Sequence, residues 1–171
     1  MGGGAYAEAK FRESLSLGKL GRIYKAREEE LDMDLSDEYI VRNEKYALVV
    51  FDSRDVDKSL FLRGIAMNDR FGFELVDCPA DEPVDDEWRE QTAYRISRAS
   101  AVIVAVTENA NGNAAIDWAV ERSLESKKPV LGARLPYDAD HEPPRSVSEN
   151  GCPVALWNTR KAEAAIAGHG S

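Results

Sequence analysis

Polar side chains follow two of the apolar runs in this chain. Asp52-Ser53-Arg54-Asp55 comes directly after one run, and Glu108, Asn109 and Asn111 follow another. An arginine such as Arg54 can hold the phosphates of a nucleotide, and asparagine amides can hydrogen-bond a ligand. Polar loops and turns favour the same residue types, so both a binding site and a plain turn fit this pattern.

The runs that precede these residues are typical of strands buried on both faces, as in a parallel sheet. Five such strands alternate with helices, and this alternation predicts right-handed βαβ units. We therefore expect an α/β, flavodoxin-like doubly wound sheet with the strand order 2-1-3-4-5. The predicted strands are Tyr46–Phe51, Phe73–Cys78, Ala101–Val106, Pro129–Ala133 and Pro153–Trp157.

Helical periodicity fills the segments between the strands. Residues 55–68 carry a helical stripe, and Trp88 begins a second stripe with Thr92, Ile96 and Ala99. Further helices are predicted near 114–126 and 159–167, whereas 135–150 is predicted to be a long polar loop. Ligands bind such sheets at the carboxyl ends of the strands, which here are the loops 52–55, 79–86, 107–113 and 134–150. The helical stripe within residues 55–68 consists of Val56, Leu60, Phe61, Ile65 and Met67.

The first 44 residues form a separate predicted unit. Residues 6–31 have helical spacing, and 32–44 form an acidic connector. This stretch is either an extension that packs on the domain or an arm that binds a partner. The organisation is therefore a helical extension, 1–44, followed by one α/β domain, 45–171.

Several nucleotide-binding and signalling classes are disfavoured. The Gly-x-Gly-x-x-Gly pattern of dinucleotide folds is missing after the first strand, and so is the phosphate-binding Gly-x-x-x-x-Gly-Lys-Ser/Thr pattern. A response-regulator receiver shares the predicted topology and needs acidic residues after its first strand, which Asp52 satisfies. It also needs a phosphoacceptor aspartate after the third strand and a lysine after the fifth. Thr107 and Asn158 stand at those places, so the receiver interpretation fails.

Composition limits partners and cofactors. The net charge is −9 without a basic cluster, so we expect no nucleic-acid partner. The two histidines and two cysteines show no zinc-ligand spacing, and we expect no metal and two reduced thiols, although the number of carboxylates leaves a magnesium site open. Neither a secretory signal nor an apolar run of about 20 residues occurs, so we expect a cytoplasmic protein without a membrane partner.

An ordered set of motifs resembles the TIR-like proteins of bacterial antiphage defence. Ile96 to Val104 is similar to their I-R-x-S-hydrophobic-hydrophobic-I-V strand, and Glu108-Asn109 and Ile116-Asp117-Trp118 follow it. The spacing from Trp118 to Lys128-Pro129 fits the family's Trp-Glu-Ile … Lys-Pro-Ile pattern without a gap. Leu156-Trp157-Asn158 resembles its last strand. The resemblance covers residues 45–160 and is to the branch that includes the ThsB-type protein of the Thoeris system.

This resemblance implies NAD⁺ chemistry. Such enzymes break the bond between nicotinamide and ribose, then hydrolyse or cyclise the ADP-ribose unit into a signal. A carboxylate is needed because the ribose carbon develops positive charge. The family's catalytic glutamate falls on Ala119, which has no oxygen, and Glu108 is the nearby carboxylate that can approach the same space. The chain is then either a natural pseudoenzyme or a form in which Glu was changed to Ala.

The resemblance also assigns a binding role to residues of the first-strand loop. Phe51, Asp52, Ser53 and Arg54 match the positions around the adenine, phosphates or nicotinamide ribose. Trp118 either lines the nicotinamide pocket or belongs to the core. Two other functions remain open: a non-catalytic scaffold that assembles with itself or a defence effector, and a binding module for a nucleotide signal.

Overall fold

The structure is a computed structural model that describes residues 45–81 and 84–169. The predicted helical extension, residues 1–44, lies outside the described residues. Within them, the chain alternates strands and helices. The strands are β1 (Tyr46–Asp52), β2 (Glu74–Ala80), β3 (Ala101–Ala105), β4 (Val130–Arg134) and β5 (Val154–Leu156). The helices are α1 (Val56–Asn68), α2 (Asp86–Arg98), α3 (Ala114–Glu125), α4 (Arg145–Glu149) and α5 (Thr159–Gly168), and a 3-10 turn, Ser53–Asp55, precedes α1.

All five strands are parallel and lie in the order β2-β1-β3-β4-β5. The predicted α/β fold and strand order are thus confirmed. Every residue of β1 and β3 is buried, which explains why their sequences are continuous apolar runs rather than alternating ones. Register aligns Asp52 at the end of β1 with Ala80 at the end of β2. The residues that follow these strands therefore meet at one edge of the sheet.

The core lies between the sheet and the helices that pack on it. Phe51, Leu62, Ile103 and Trp157 belong to one buried cluster. β4 and β5 approach so closely at Gly132 that an added Cβ would lie 2.8 Å from Cγ2 of Val154. A larger residue at position 132 would force the Val154 side chain to shift, so glycine lets β4 and β5 pair without that rearrangement.

Two helical features differ from the sequence-based prediction. The 135–150 segment is not a loop throughout, because α4 forms at Arg145–Glu149 and buries Ser146 and Val147. Ser146 donates through its backbone N and its Oγ to one carboxylate oxygen of Asp117, at 3.2 and 2.5 Å. These contacts hold α4 against α3, and they depend on a pairing 29 residues apart that local periodicity does not reveal.

The second difference is the packed face of α1. The residues it buries are Ser59, Leu62, Arg63 and Ala66. Arg63 and Ser59 both donate to the buried carboxylate of Asp77 on β2, at 2.8 and 3.0 Å. A polar cluster thus anchors the helix, and the apolar stripe that begins at Val56 lies largely outside the core.

The described helices include none that is long and apolar enough to cross a bilayer.

Candidate functional site

Asp52 is the centre of a hydrogen-bond network at the carboxyl end of β1. Arg54 donates its backbone N and its Nε to Oδ1 of Asp52, both at 2.9 Å, and its Nη2 to Oδ2 at 2.8 Å. Asn113 donates its Nδ2 to the same Oδ2 at 2.8 Å. The Asp52 residue is 3% exposed, yet these four donors satisfy its carboxylate.

The network fixes the protonation state of Asp52. Hydrogen bonding from the Arg54 side chain, helped by the Arg54 backbone and Asn113, outweighs burial and lowers the pKa of Asp52 from 3.8 to about 2. The carboxylate is therefore ionised at neutral pH. The Arg54 side chain is 70% exposed, so a cation held in place by Asp52 lies at the protein surface beside the sheet edge.

Asn113 joins three elements at this edge. Its Oδ1 accepts a hydrogen bond from the backbone N of Ile116 at 3.0 Å, which caps α3. Its Nδ2 contacts Asp52 on β1 and donates to the carbonyl of Ala80, the last residue of β2, at 3.2 Å. An asparagine directly before a helical pattern is the sequence signal for a helix cap at Asn113. Its contacts with β1 and β2 could be recognised only once the fold was known.

Asp55 organises a second group of contacts. Its Oδ2 accepts from Thr107 Oγ1 at 2.6 Å, and its Oδ1 accepts from Asn109 Nδ2 at 3.0 Å. Asp55 precedes α1, whereas Thr107 and Asn109 follow β3. These bonds tie the loop after β1 to the loop after β3. Asp55 and Thr107 were not singled out as site residues from the sequence.

A third loop reaches the same end of α1. Asp138, which follows β4, accepts from Lys58 Nζ at 3.1 Å and lies 3.2 Å from Nε2 of His141. Partial burial opposes both charges. Hydrogen bonding from His141 and Lys58 nevertheless lowers the pKa of Asp138, and bonding to Asp138 raises the pKa of Lys58. This ion pair holds the loop after β4 beside the first turn of α1.

The structure separates the remaining predicted site residues. Ser53 donates to Asp81 and so lies at the edge with Asp52 and Arg54. Glu108 and Asn111 are exposed, and their side chains form no hydrogen bond or ion pair with a described residue. Phe51 is 2% exposed and packs in the core cluster, so its ring has almost no surface to offer a ligand.

Ala119 is 0% exposed on the inward face of α3, beside Ala115, Ile116 and Val120. Its methyl group does not line an open cleft in this structure. Its carbonyl accepts a hydrogen bond from Ser123 Oγ at 2.7 Å, four residues along the helix. A carboxylate at this position would have to enter a closely packed, apolar layer.

Trp118 lies on the same helix and is half-buried. Its ring meets that of Trp88 on α2 edge to face, with centroids 5.7 Å apart. Trp88 in turn donates its Nε1 to the carbonyl of Pro79 on β2 at 3.1 Å. The pair therefore connects α2, α3 and β2 near the carboxyl edge of the sheet.

An apolar cavity of about 210 Å³ lies elsewhere, between β4, β5 and α5. Leu131, Ala155, Leu156 and Ala165 are among its lining residues, and none of the predicted site residues is. The described residues contain no group of three or more histidine, cysteine or acidic side chains placed to hold a metal ion.

The family model described as "Thoeris protein ThsB, TIR-like domain" matches residues 49–140, more than half of the chain. The chain belongs to this family. The matched part of this ThsB-type TIR-like protein contains the second half of β1, all of β2 to β4 and of α1 to α3, and the polar networks around Asp52 and Asp55.

No curated protein matches the chain. Among solved structures, it is similar to a 3-dehydroquinate dehydratase-like protein from Bifidobacterium longum, with 12% sequence identity and a TM-score of 0.42. That match covers 73% of this chain and 94% of the other. Likeness at this level carries no functional conclusion.

Proposed function

We propose that this ThsB-type TIR-like protein acts in Thoeris antiphage defence in the cytoplasm. In that role it binds NAD⁺ or a related nucleotide, and in its present sequence it does not cleave the nicotinamide bond. Family membership supports the defence role. The position of the polar networks supports the binding role, because ligands of doubly wound sheets lie at the carboxyl ends of the strands.

The binding surface consists of the loops after β1 and β3. Arg54 supplies an exposed guanidinium whose orientation Asp52 fixes, and such a group suits a phosphate. Asn109 is half-buried, and its hydrogen bond to Asp55 holds its side-chain amide beside the loop that carries Arg54. The long loop after β4, held by the Lys58–Asp138 ion pair, borders this surface. A nucleotide placed here would meet one cation and several hydrogen-bonding groups.

The proposal of binding without cleavage rests on one observation: position 119 carries a buried methyl group. Cleavage of the nicotinamide–ribose bond needs negative charge close to the developing oxocarbenium ion. The carboxylate of Asp52 already accepts four hydrogen bonds, and that of Asp55 accepts two. Glu108 is exposed in a surface loop, where water screens its charge.

Calorimetric titration of NAD⁺ into the full chain tests the binding part, with Arg54→Ala as the variant. Arg160→Ala is the matched control, because Arg160 is an exposed arginine on α5, away from the loops after β1 and β3. We expect Arg54→Ala to weaken binding about tenfold, as for the loss of one charge-assisted contact. Arg160→Ala should leave the affinity unchanged. Equal affinities of the two variants would contradict the assignment of the site.

Chromatographic measurement of nicotinamide tests the second part. The full chain, incubated with NAD⁺ at the concentration that saturates binding, should release none above the protein-free rate. Release in proportion to protein concentration, lost in Arg54→Ala but not in Arg160→Ala, would show instead that this chain is an active NAD⁺-cleaving enzyme.

A further inference from the structure

Tyr137 combines a fully exposed side chain with a strained backbone. Among residues 45–81 and 84–169 its side chain makes no hydrogen bond and no ring contact. Its φ is 66°, in the left-handed region that residues with a Cβ seldom adopt. Such a backbone costs free energy at a residue other than glycine, and it is concentrated at functional sites. No contact within the described part of the chain offsets that cost.

Tyr137 stands in a tight turn directly after β4. The backbone N of Asp138 donates to the carbonyl of Leu135 at 3.3 Å, so Pro136 and Tyr137 occupy the two central positions of the turn. Proline suits the first of these positions, and a positive φ at the second favours glycine or asparagine. Glycine would therefore be the expected residue at position 137 if the turn only connected two elements.

The backbone is anchored on both sides of this turn. Leu135 is buried in the core cluster. Asp138 accepts from Lys58 Nζ at 3.1 Å and lies 3.2 Å from Nε2 of His141. The carbonyl of His141 accepts from Nη1 of Arg134, the last residue of β4, at 2.7 Å. The tyrosine ring is therefore presented on a held backbone, which has little entropy to lose when a flat ligand covers the ring.

The same anchor places Tyr137 near the loop that carries Arg54. Lys58, which binds Asp138, lies in the first turn of α1, four residues after Arg54. Asp55, the neighbour of Arg54, binds the loop after β3 through Thr107 and Asn109. The loops after β1, β3 and β4 thus meet at the start of α1. A nucleotide whose phosphates contact Arg54 can extend its base towards the turn after β4.

We propose that the Tyr137 ring stacks on the adenine base of a nucleotide bound at this surface, an assignment that rests on the proposed function. Aromatic side chains stack on the π-faces of bases. Adenine is neutral and bicyclic, so it offers a larger apolar face than the charged nicotinamide ring of NAD⁺. Trp88 and Trp118 suit this role less, because both rings are half-buried and already packed against each other. The site should therefore select adenine nucleotides.

Calorimetric titration of the full chain with three probes tests the stacking. The probes are NAD⁺, ADP-ribose, which lacks nicotinamide, and nicotinamide mononucleotide, which lacks adenine. Tyr137→Ala should weaken the binding of NAD⁺ and ADP-ribose about tenfold or more and leave that of the mononucleotide unchanged. Tyr137→Phe retains the ring and should bind all three probes as the wild type does. Tyr94→Ala is the matched control, because Tyr94 is an exposed tyrosine on α2, and it should change none of these affinities.

Tyr137→Gly separates binding from folding. Glycine relieves the strain of the positive φ, so this variant should raise the unfolding temperature of the free protein. It should also weaken ADP-ribose binding as much as Tyr137→Ala does. A lower unfolding temperature would show that Tyr137 stabilises the free protein, and it would overturn the proposal.

Three binding results would also overturn the stacking. If Arg54→Ala weakens NAD⁺ binding and Tyr137→Ala does not, the nucleotide site stands and the role of Tyr137 is wrong. If Tyr137→Ala weakens binding of the mononucleotide but not of ADP-ribose, adenine is the wrong base. If the wild type binds none of the three probes, the proposed function and the stacking fail together.

Discussion

Replacing Asn113 by alanine should destabilise this protein far more than loss of a helix cap alone. An N-cap of this kind stabilises by about 1 kcal/mol. Asn113 also donates to the Asp52 carboxylate at 2.8 Å and to the Ala80 carbonyl at 3.2 Å. A hydrogen bond to a charged group contributes about 1.5–3 kcal/mol and one to a neutral group about 1 kcal/mol. Because Arg54 still holds Asp52, we expect a total loss of about 3–4 kcal/mol.

Asn158→Ala is the matched control for this measurement. Asn158 caps α5 through the same geometry, with its Oδ1 accepting from the backbone N of Lys161 at 2.9 Å, but it is exposed and its side chain donates to none of the described strands. Its loss should cost about 1 kcal/mol. Urea unfolding followed by tryptophan fluorescence gives both values. Equal losses for the two variants would refute the idea that Asn113 joins β1, β2 and α3 energetically.

Asn113→Asp separates the cap from the two donated bonds. The aspartate retains an acceptor for the backbone N of Ile116, but it places a second carboxylate against Asp52. Like charges at this distance raise the pKa of one partner. The variant should therefore be destabilised at pH 7 and regain stability as the pH falls and one carboxyl becomes protonated. A stability that is the same at pH 7 and pH 5 would contradict this reasoning.

Three further predictions concern single groups. The pKa of Asp52 is lowered from 3.8 to about 2, so its ionised form should contribute about 2 kcal/mol to the free energy of unfolding above pH 4. This contribution should be lost as the pH falls to about 2. The urea midpoint of the wild type should therefore fall over this pH range, and that of Asp52→Asn should not show this fall. Burial raises the pKa of the Cys78 thiol to about 11, whereas Cys152 is partly exposed. A thiol reagent at about pH 8 should therefore react with one thiol in the native protein and with two after unfolding. Reaction of the native Cys152→Ser variant with the reagent would contradict this. Ala119→Glu should lower the free energy of unfolding by about 3 kcal/mol or more, because its carboxylate would be buried without a partner, and it should release no nicotinamide. The control Ala114→Glu, at the exposed start of α3, should leave the free energy of unfolding nearly unchanged.

The sequence predicted the fold well because burial on both faces leaves a strong local pattern. β1 is a run of apolar and aromatic residues up to Asp52, and β3 is apolar at every position; such runs do not depend on distant contacts to be recognised. The loop residues Asp52, Ser53, Arg54 and Asn109 were placed correctly at the sheet edge for the same reason, since parallel strands end there together.

Features set by long-range contacts were harder to predict. The apolar stripe of α1 indicated one packed face, but a buried Arg63–Asp77 ion pair turned a different face inward. α4 is five residues long and is held by Asp117, so periodicity could not reveal it. The roles of Asp55 and Asn113 also depend on partners more than 30 residues away, and their residue types alone were equally compatible with a turn and a cap.

Amide hydrogen exchange of the full chain, with and without saturating NAD⁺, tests the proposed nucleotide site most directly. We expect slower exchange in residues 52–55 and 107–113 when NAD⁺ is present, with α5 unchanged and no nicotinamide formed in the same sample. Protection that appears only outside these two loops, or no protection at any NAD⁺ concentration, would contradict nucleotide binding at the carboxyl edge of β1 and β3.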